Sequence, residues 1–306
     1  MTADTDTSTT TSTTTDLRAV AHVAGEGRYH WVGDGFRVEG MFAPGDGLAH
    51  LVSPFLLLDY HAPHEYGPTA TPRGVGVHPH RGFETVTLAF DGRVAHHDST
   101  GAGGVIAAGD VQWMTAAAGI LHKEYHEAEW AATGGRFHMA QLWVNLPAAH
   151  KMDTPRYQPL TAEQIGRVDL AGGGSIRVVA GDFDGHLGPA TTYTPINLWD
   201  VELPAGAALA PAVPAEHNVA VLALDGALVV NGREVVAGRL AVLDRAQPGR
   251  DGVEVVAPTG GRALVMTGLP IDEPVAAYGP FVMNTRQQLI EAFDDFQAGR
   301  FGHLDD

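Results

Sequence analysis

A short stretch of sequence occurs twice in this chain, and the repeat limits the folds that the chain can adopt. Residues 84–92 align without a gap on residues 218–226, and residues 107–111 match residues 236–240 at nearly the same offset. Residues 84–92 and 218–226 are each an apolar run that ends in Asp-Gly, a common turn between strands. The sequence therefore predicts a duplicated β-barrel.

Turn-forming residues divide most of the chain into short segments. The 38 glycines and 19 prolines punctuate apolar runs between about residues 17 and 146 and again between residues 196 and 269. This spacing is typical of sandwiches and barrels. A capping box at residues 285–288 and an apolar stripe behind it predict a short C-terminal helix. We therefore expect an all-β chain of two antiparallel barrels with one closing helix.

The length of the chain, 306 residues, favours two domains over one core. Residues 1–17 are rich in Thr, Ser and Asp and are expected to form a disordered tail. A polar, proline-bearing segment at residues 151–159 is interpreted as the bridge between domains. We therefore predict domains at residues 18–155 and 156–306.

Composition excludes several classes of function. The net charge of −17 repels phosphate backbones, so we expect no direct binding to nucleic acid. The chain has no cysteine, so any metal is held by nitrogen and oxygen ligands. There is neither an apolar run of about 18 residues nor a signal-peptide pattern, which predicts a soluble cytoplasmic protein without membrane contact.

Two pairs of potential metal ligands stand two residues apart on predicted strands. His78 and His80 form the first pair, and His122 and Glu124 form the second. Side chains two apart on a strand point to the same face. Three imidazoles and one carboxylate suit a divalent metal such as iron, nickel, copper, zinc or manganese, with coordination positions left open for chemistry. The pattern predicts a metal site.

The repeat provides an internal control for this prediction. The second copy keeps the strand and turn pattern, but its residues at the four aligned positions are Ala212, Pro214, Asp251 and Val253. If barrel architecture required the predicted ligands, both copies would carry them. Their presence in one copy favours a functional role.

Periodicity leaves the choice of carboxylate open. Glu84 lies four residues after His80, so on a regular strand it faces the same way, and Glu124 is equally eligible. A bend at Gly82 would redirect Glu84.

Other side chains are secondary candidates for the site. His126 lies two residues after Glu124, so on a regular strand its side chain faces the same way as the second pair. It is a candidate for a residue that supports the site or lies at its entrance. Gln141 could face the cavity and hydrogen-bond a substrate, and Phe83 is a core residue that could also line an apolar pocket. His96 and His97 are adjacent, so only one can face inward, and we expect the pair to be exposed to solvent.

Several longer motifs resemble the pirin family of the cupin superfamily. The resemblance covers nearly the whole chain after the tail and lies in residues 78–85, 109–117, 119–124, 141–146, 279–285 and 297–302. It implies a bicupin, two facing jelly-roll barrels with metal in the N-terminal barrel only. It also implies Fe(II) held by His78, His80, His122 and Glu124, with Ni, Cu, Mn, Co or Zn as alternatives and Glu84 as a supporting residue.

The same resemblance implies two kinds of function. Several pirin-like proteins resemble quercetin 2,3-dioxygenases, which open a flavonol ring with O₂ and release carbon monoxide. In that reading Glu124 is both a metal ligand and the catalytic base. Other members are described as iron-binding, redox-sensitive regulators that bind a transcription factor or a metabolic enzyme. Two barrels in one chain already mimic a cupin dimer, so we expect a monomer.

Overall fold

Antiparallel strands make up about half of residues 16–306, the part of the chain that the computed structural model describes. The predicted tail at residues 1–17 lies outside the described residues except for Asp16 and Leu17. The strands of the first half of the chain are β1 (Val20–Ala24), β2 (His30–Val32), β3 (Phe36–Phe42), β4 (Phe55–Tyr66), β5 (Gly74–His80), β6 (Phe83–Asp91), β7 (Arg93–Asp98), β8 (Gly103–Ala107), β9 (Val111–Thr115), β10 (Ile120–His126), β11 (Gly135–Asn145) and β12 (Arg156–Leu160).

The second half continues the same pattern. Its strands are β13 (Arg167–Asp169), β14 (Ser175–Ala180), β15 (Asp182–Phe183), β16 (His186–Leu187), β17 (Ile196–Leu203), β18 (Ala207–Leu209), β19 (Asn218–Val230), β20 (Arg233–Val236), β21 (Leu240–Leu243), β22 (Val255–Ala257), β23 (Gly261–Gly268), β24 (Ala276–Tyr278) and β25 (Phe281–Met283).

Helices are few and short. Besides a 3₁₀ turn at Ala148–His150, they are α1 (Ala49–Val52), α2 (Ala128–Thr133) and α3 (Arg286–Gln297). None of these helices, within residues 16–306, combines the length and the apolar character needed to cross a membrane. The predicted C-terminal helix is confirmed as α3, and it begins with the predicted capping box between Thr285 and Gln288.

Two long sheets, one in each half, have the same strand order. The first runs β12-β9-β6-β11-β4-β3-β2, and the second runs β1-β21-β19-β23-β17-β14-β13. The two copies of the sequence repeat lie on β6 and β19, each third in its sheet. The predicted duplication is therefore confirmed. Among the described strands no ladder closes on itself, so each half is an open jelly-roll rather than a continuous barrel.

The N-terminal strand crosses to the other half. β1 pairs with β21 and completes the second sheet, whereas β12, which follows β11 in the chain, pairs with β9 and completes the first. One edge strand of the second sheet is therefore supplied from the opposite end of the sequence. The division at residues 155 and 156 stays a prediction.

The two long sheets pack face to face. Val86 and Leu88 on β6 belong to one apolar cluster with Leu222 on β19 and Leu264 on β23, and all are at most 2% exposed. Burial of each such side chain is worth about 1.5–3 kcal/mol relative to exposure. The opposite face of the first long sheet is left free to meet the smaller sheet β5-β10-β7-β8.

The C-terminal segment packs on the first half near β5 and β6. Arg81 is 4% exposed, and its guanidinium forms a 2.7 Å ion pair with Asp295 of α3 and lies over the ring of Phe301. Gly82 has φ +89°, and a Cβ there would lie 2.0 Å from the carbonyl oxygen of Val282. A side chain at this position would be strained and would clash with backbone.

The buried ammonium group of Lys151 hydrogen-bonds three oxygen atoms, two of the backbone and one of a side chain. Its Nζ donates to Asn145 Oδ1 at 2.7 Å and to the carbonyl oxygens of Gly82 and Val282 at 2.6 and 3.0 Å. We expect Lys151→Met to lower the free energy of unfolding by about 3 kcal/mol, because it leaves these acceptors buried and unpaired. Urea unfolding checks this value.

Lys123 provides the matched control, since it is the other lysine of the chain and its bond to Asp305 lies at the surface. Lys123→Met should change the free energy of unfolding by less than about 1 kcal/mol. Equal losses in the two variants would contradict the role given to Lys151.

Candidate metal centre

The smaller sheet of the first half brings the two predicted ligand pairs together. Strands β5 and β10 pair antiparallel, with His78 opposite His122 and His80 opposite Ile120. Alternate residues of β10 from Ile120 to His126 are buried, as expected for a strand with one face in the interior. The register shifts between His122 and Glu124, which changes the direction of the second pair relative to a regular strand.

Three imidazoles converge at one point. One ring nitrogen from each of His78, His80 and His122 lies within 4.8 Å of the other two. His78 Nδ1 is 2.8 Å from the carbonyl oxygen of Gly76, so Nδ1 donates a proton there and Nε2 keeps a free lone pair. His80 Nδ1 lies 3.4 Å from the carbonyl oxygen of Pro280. These backbone contacts fix the tautomer that a metal requires.

The protonation and burial of these histidines fit a divalent metal. Burial lowers the pKa of His80 and of His122 well below the usual value, and the neighbouring imidazoles lower it further. Both rings are therefore neutral at pH 7, the form that binds metal. His122 Nε2 is buried and has no hydrogen-bond partner among residues 16–306. A bound cation would satisfy this nitrogen.

Glu124 lies beside His122 but belongs to a second, overlapping group. One carboxylate oxygen lies within 4.8 Å of ring nitrogens of His122 and His96. Glu124 Oε1 lies 3.2 Å from Thr87 Oγ1 and accepts a hydrogen bond of 3.1 Å from Gln112 Nε2. The carboxylate is thus held by the long sheet on the other side of the interior.

His96 corrects one expectation from the sequence. It was expected to be exposed together with His97, but it is fully buried, and only His97 is exposed. Gln112 Nε2 donates to His96 Nδ1 at 3.0 Å, which places the ring proton of His96 on Nε2, 3.5 Å from Asp98 Oδ2. His122 Nδ1 lies 3.4 Å from the same His96 nitrogen. His96 therefore holds the His122 ring on the side away from His78 and His80.

We expect His96→Leu to weaken metal binding by about 10- to 100-fold, the usual effect of losing a partner that orients a ligand. The leucine keeps the volume but leaves His122 Nδ1 and Gln112 without their acceptor. Competition with a chelator of known affinity measures the change. His97→Leu on the same strand is the control, and a similar loss in both variants would contradict this role of His96.

A cavity of about 340 Å³ opens beside these histidines. Gln141 faces it, as the sequence suggested, together with Asp59, whose pKa is raised by burial. The other lining residues, mostly apolar, are Val32, Phe36, Val38, Val75, His78, His80, Glu124, Met139, Trp143, Gly279 and Pro280. Mostly apolar walls with a few polar groups are typical of a small-molecule site.

Glu84 lies away from the histidines. The bend at Arg81 and Gly82 ends β5 and starts β6, so Glu84 shares a face of β6 with Val86, toward the second half. Its Oε1 accepts a 2.7 Å hydrogen bond from Thr115 Oγ1, and burial raises its pKa to about 7. On a regular strand Glu84 would face the same way as His80. It does not, because the residues between them do not form a continuous strand.

Two further candidates lie near the site without lining the cavity. Phe83 packs its ring on Trp143 at 4.2 Å and edge-on against His80 at 5.1 Å, so it backs the site while Trp143 forms the wall. His126 is 1% exposed and sits among aromatic rings, including Tyr66 and Phe137. Burial lowers the pKa of His126 to about 4.

Comparison with known proteins agrees with this architecture. The Pirin family model matches residues 35–144, and the model of the pirin C-terminal cupin domain matches residues 198–302. A Pseudomonas aeruginosa protein named provisionally as a quercetin 2,3-dioxygenase is 49% identical, over 93% of this chain and 99% of its own length. A Caulobacter vibrioides protein named as pirin-like is 41% identical, over 83% and 89%.

Solved structures give the same result. The crystal structure of quercetin 2,3-dioxygenase from Acinetobacter baumannii superposes with a TM-score of 0.89 at 45% identity, and it covers 94% of this chain and 100% of its own. Two family models, close relatives and the duplicated jelly-roll therefore agree. The chain belongs to the pirin family.

Proposed function

We propose that the protein is a metal-dependent dioxygenase that opens a flavonol such as quercetin with O₂. The observation that carries this proposal is the group of three imidazoles, two of which, His78 and His80, line a largely apolar cavity. The relatives from P. aeruginosa and A. baumannii, at 49% and 45% identity, bear the name of this activity. Their similarity extends over nearly the whole chain.

His78, His80 and His122 would hold the metal, with Glu124 as the fourth ligand. Such a donor set suits Fe(II), with Ni, Cu, Mn, Co or Zn as alternatives. When bound, the metal would supply a Lewis acid that increases the acidity of the flavonol hydroxyl, and a site for O₂ chemistry. His78, His80 and Glu124 line the cavity, and His122 lies next to His78 and His80 with a ring nitrogen within 4.8 Å of one nitrogen of each.

Glu124 is the proposed base for the proton of the flavonol hydroxyl. Its side chain lines the cavity, where a substrate hydroxyl could reach it. Thr87 and Gln112 hold its Oε1 from the long sheet, which fixes the orientation of the carboxylate. A positioned base of this kind contributes about 10²- to 10⁴-fold to a rate.

The apolar walls orient the substrate and exclude water. Phe36 and Trp143 supply aromatic surface, and Val38 and Met139 supply aliphatic surface. A flat ring between such walls would be held with its hydroxyl toward the histidines, and exclusion of water strengthens each polar contact inside.

The test is incubation of the iron-loaded protein with quercetin under air. We expect the flavonol absorbance to fall while carbon monoxide is released, at a rate that depends on the metal. Absence of turnover with iron, nickel, copper, manganese, cobalt and zinc would overturn the proposal. A stoichiometric protein partner in the same preparations would then favour the regulatory alternative.

A further inference from the structure

A row of polar side chains crosses the floor of the cavity. Asp59 on β4, Gln141 on β11, Thr87 on β6 and Gln112 on β9 are successive cross-strand partners in the first long sheet. Cross-strand partners point to the same face of a sheet. All four side chains therefore face the interior that contains the predicted metal ligands.

The equivalent positions in the second long sheet show whether the fold itself requires polar side chains there. The corresponding row on β17, β23, β19 and β21 consists of Trp199, Val265, Val221 and Ala241. These side chains are at most 1% exposed and belong to an apolar core that fills the second jelly-roll. A jelly-roll of this order is thus built without polar groups in the row. The polar row of the first half calls for a functional explanation.

One end of the row already has partners within the protein. Gln112 Nε2 hydrogen-bonds Glu124 and His96, and Thr87 Oγ1 lies within hydrogen-bond distance of both Glu124 and Gln141. This end serves the predicted metal ligands.

The other end has unused hydrogen-bonding capacity. Within residues 16–306 the Asp59 carboxylate accepts no hydrogen bond and has only an electrostatic interaction with His30, and Gln141 Nε2 donates none, although its Oε1 accepts from Thr87. Both side chains line the cavity. A carboxylate in a largely apolar cavity is costly unless a donor pairs with it. A ligand in the cavity can supply that donor.

We propose that Asp59 and Gln141 recognise a hydroxyl group on the end of the ligand that lies remote from the metal ligands. The Asp59 carboxylate accepts a hydrogen bond from the hydroxyl, and the Gln141 amide donates one to the hydroxyl oxygen. Asp59 is two strands away from Thr87, about 10 Å at ordinary strand spacing, so the two ends of the row reach different parts of one molecule.

This inference rests on the proposed function and narrows its substrate class. The cavity selects an aromatic molecule with one hydroxyl for the metal site and at least one more at the opposite end. A site built to pair with a hydroxyl discriminates strongly against a molecule that lacks it, because the polar groups of the site are then left unpaired.

The test compares the affinities of two flavonols for the iron-loaded protein without O₂, measured by calorimetry. The ligands are quercetin and 3-hydroxyflavone, which keeps the metal-binding hydroxyl and has no other. We expect wild type to bind quercetin about 10- to 100-fold more tightly. Asp59→Leu should reduce this ratio at least about tenfold by weakening quercetin alone, and the conservative Asp59→Asn should have a smaller effect.

Glu65→Gln is the control variant, since Glu65 lies on the same strand, is exposed and does not line the cavity. Binding of 3-hydroxyflavone reports whether the cavity of each variant is intact. If Asp59→Leu does not fold, Asp59→Asn provides the test, and it should still reduce the ratio of the two affinities. An unchanged ratio in the Asp59 variants, or an equal loss for both ligands, would overturn the inference.

Failure of this inference is distinguishable from failure of the proposed function. Suppose that the wild type shows the expected ratio of affinities for the two flavonols, and that the ratio depends on Asp59, but that no carbon monoxide is released. This result would contradict the dioxygenase proposal alone. Release of carbon monoxide by the wild type, together with an affinity ratio that does not depend on Asp59, would contradict the recognition proposal alone.

Discussion

Replacing His122 by alanine is expected to abolish metal binding and, with it, flavonol turnover. His122 is the central residue of the site, because its ring nitrogens face the other two histidines on one side and His96 on the other. Loss of a partner that only orients a ligand already costs about 10- to 100-fold in metal affinity, and loss of the ligand should cost more. Metal analysis of the purified variant and a carbon monoxide assay measure both effects.

His97→Ala is the matched control for this substitution. His97 lies on β7, is exposed and is the cross-strand partner of Lys123, next to His122. We expect the control to retain one equivalent of metal and wild-type turnover. His122→Ala protein that keeps one equivalent of metal with full turnover would show that the site is wrongly placed.

Glu124→Gln is expected to reduce turnover by about 10²- to 10⁴-fold, the contribution of a positioned base. Glutamine keeps an oxygen that accepts from Thr87 and Gln112 but loses the negative charge and the basicity. The fold should therefore survive, and metal affinity should fall less than in His122→Ala. Steady-state kinetics at saturating metal separate the loss of the base from loss of the metal.

Glu129→Gln on α2 is the control, since this side chain is 87% exposed. Turnover by Glu124→Gln within tenfold of wild type at saturating metal would contradict the assignment of the base, whatever the effect on metal affinity.

The duplication and the meeting of the histidines were accessible from sequence for a physical reason. Strand side chains alternate with a period of two, so His78 with His80 had to share a face wherever the strand was regular. The aligned repeat fixed β6 and β19 as equivalent strands before any coordinates, and the sheet order confirms that equivalence. The capped helix α3 followed from local side-chain chemistry alone.

Other features depend on contacts that no period encodes. The sequence raised a bend at Gly82 but not the close approach of the Val282 backbone, 200 residues away in sequence, which leaves no room for a side chain there. The bend decides that Glu84 faces the second half. His96 was missed because two adjacent histidines carry no information on which one faces inward.

The polar row was only partly visible in the sequence. Thr87 aligns with Val221 in the repeat, and Gln112 aligns with Ala241 at the second offset, so a polar-to-apolar change was present there. Asp59 and its counterpart Trp199 lie outside the aligned stretches. Their equivalence rests on sheet register, which is set by hydrogen bonds between distant strands.

The most direct test of the metal centre is anomalous diffraction from crystals soaked in Fe(II), recorded at the iron edge. We expect one peak in the first half, at coordination distance from nitrogens of His78, His80 and His122 and from an oxygen of Glu124. A peak on the opposite side of His122, between His96 and Glu124, or no peak at all, would contradict this ligand set.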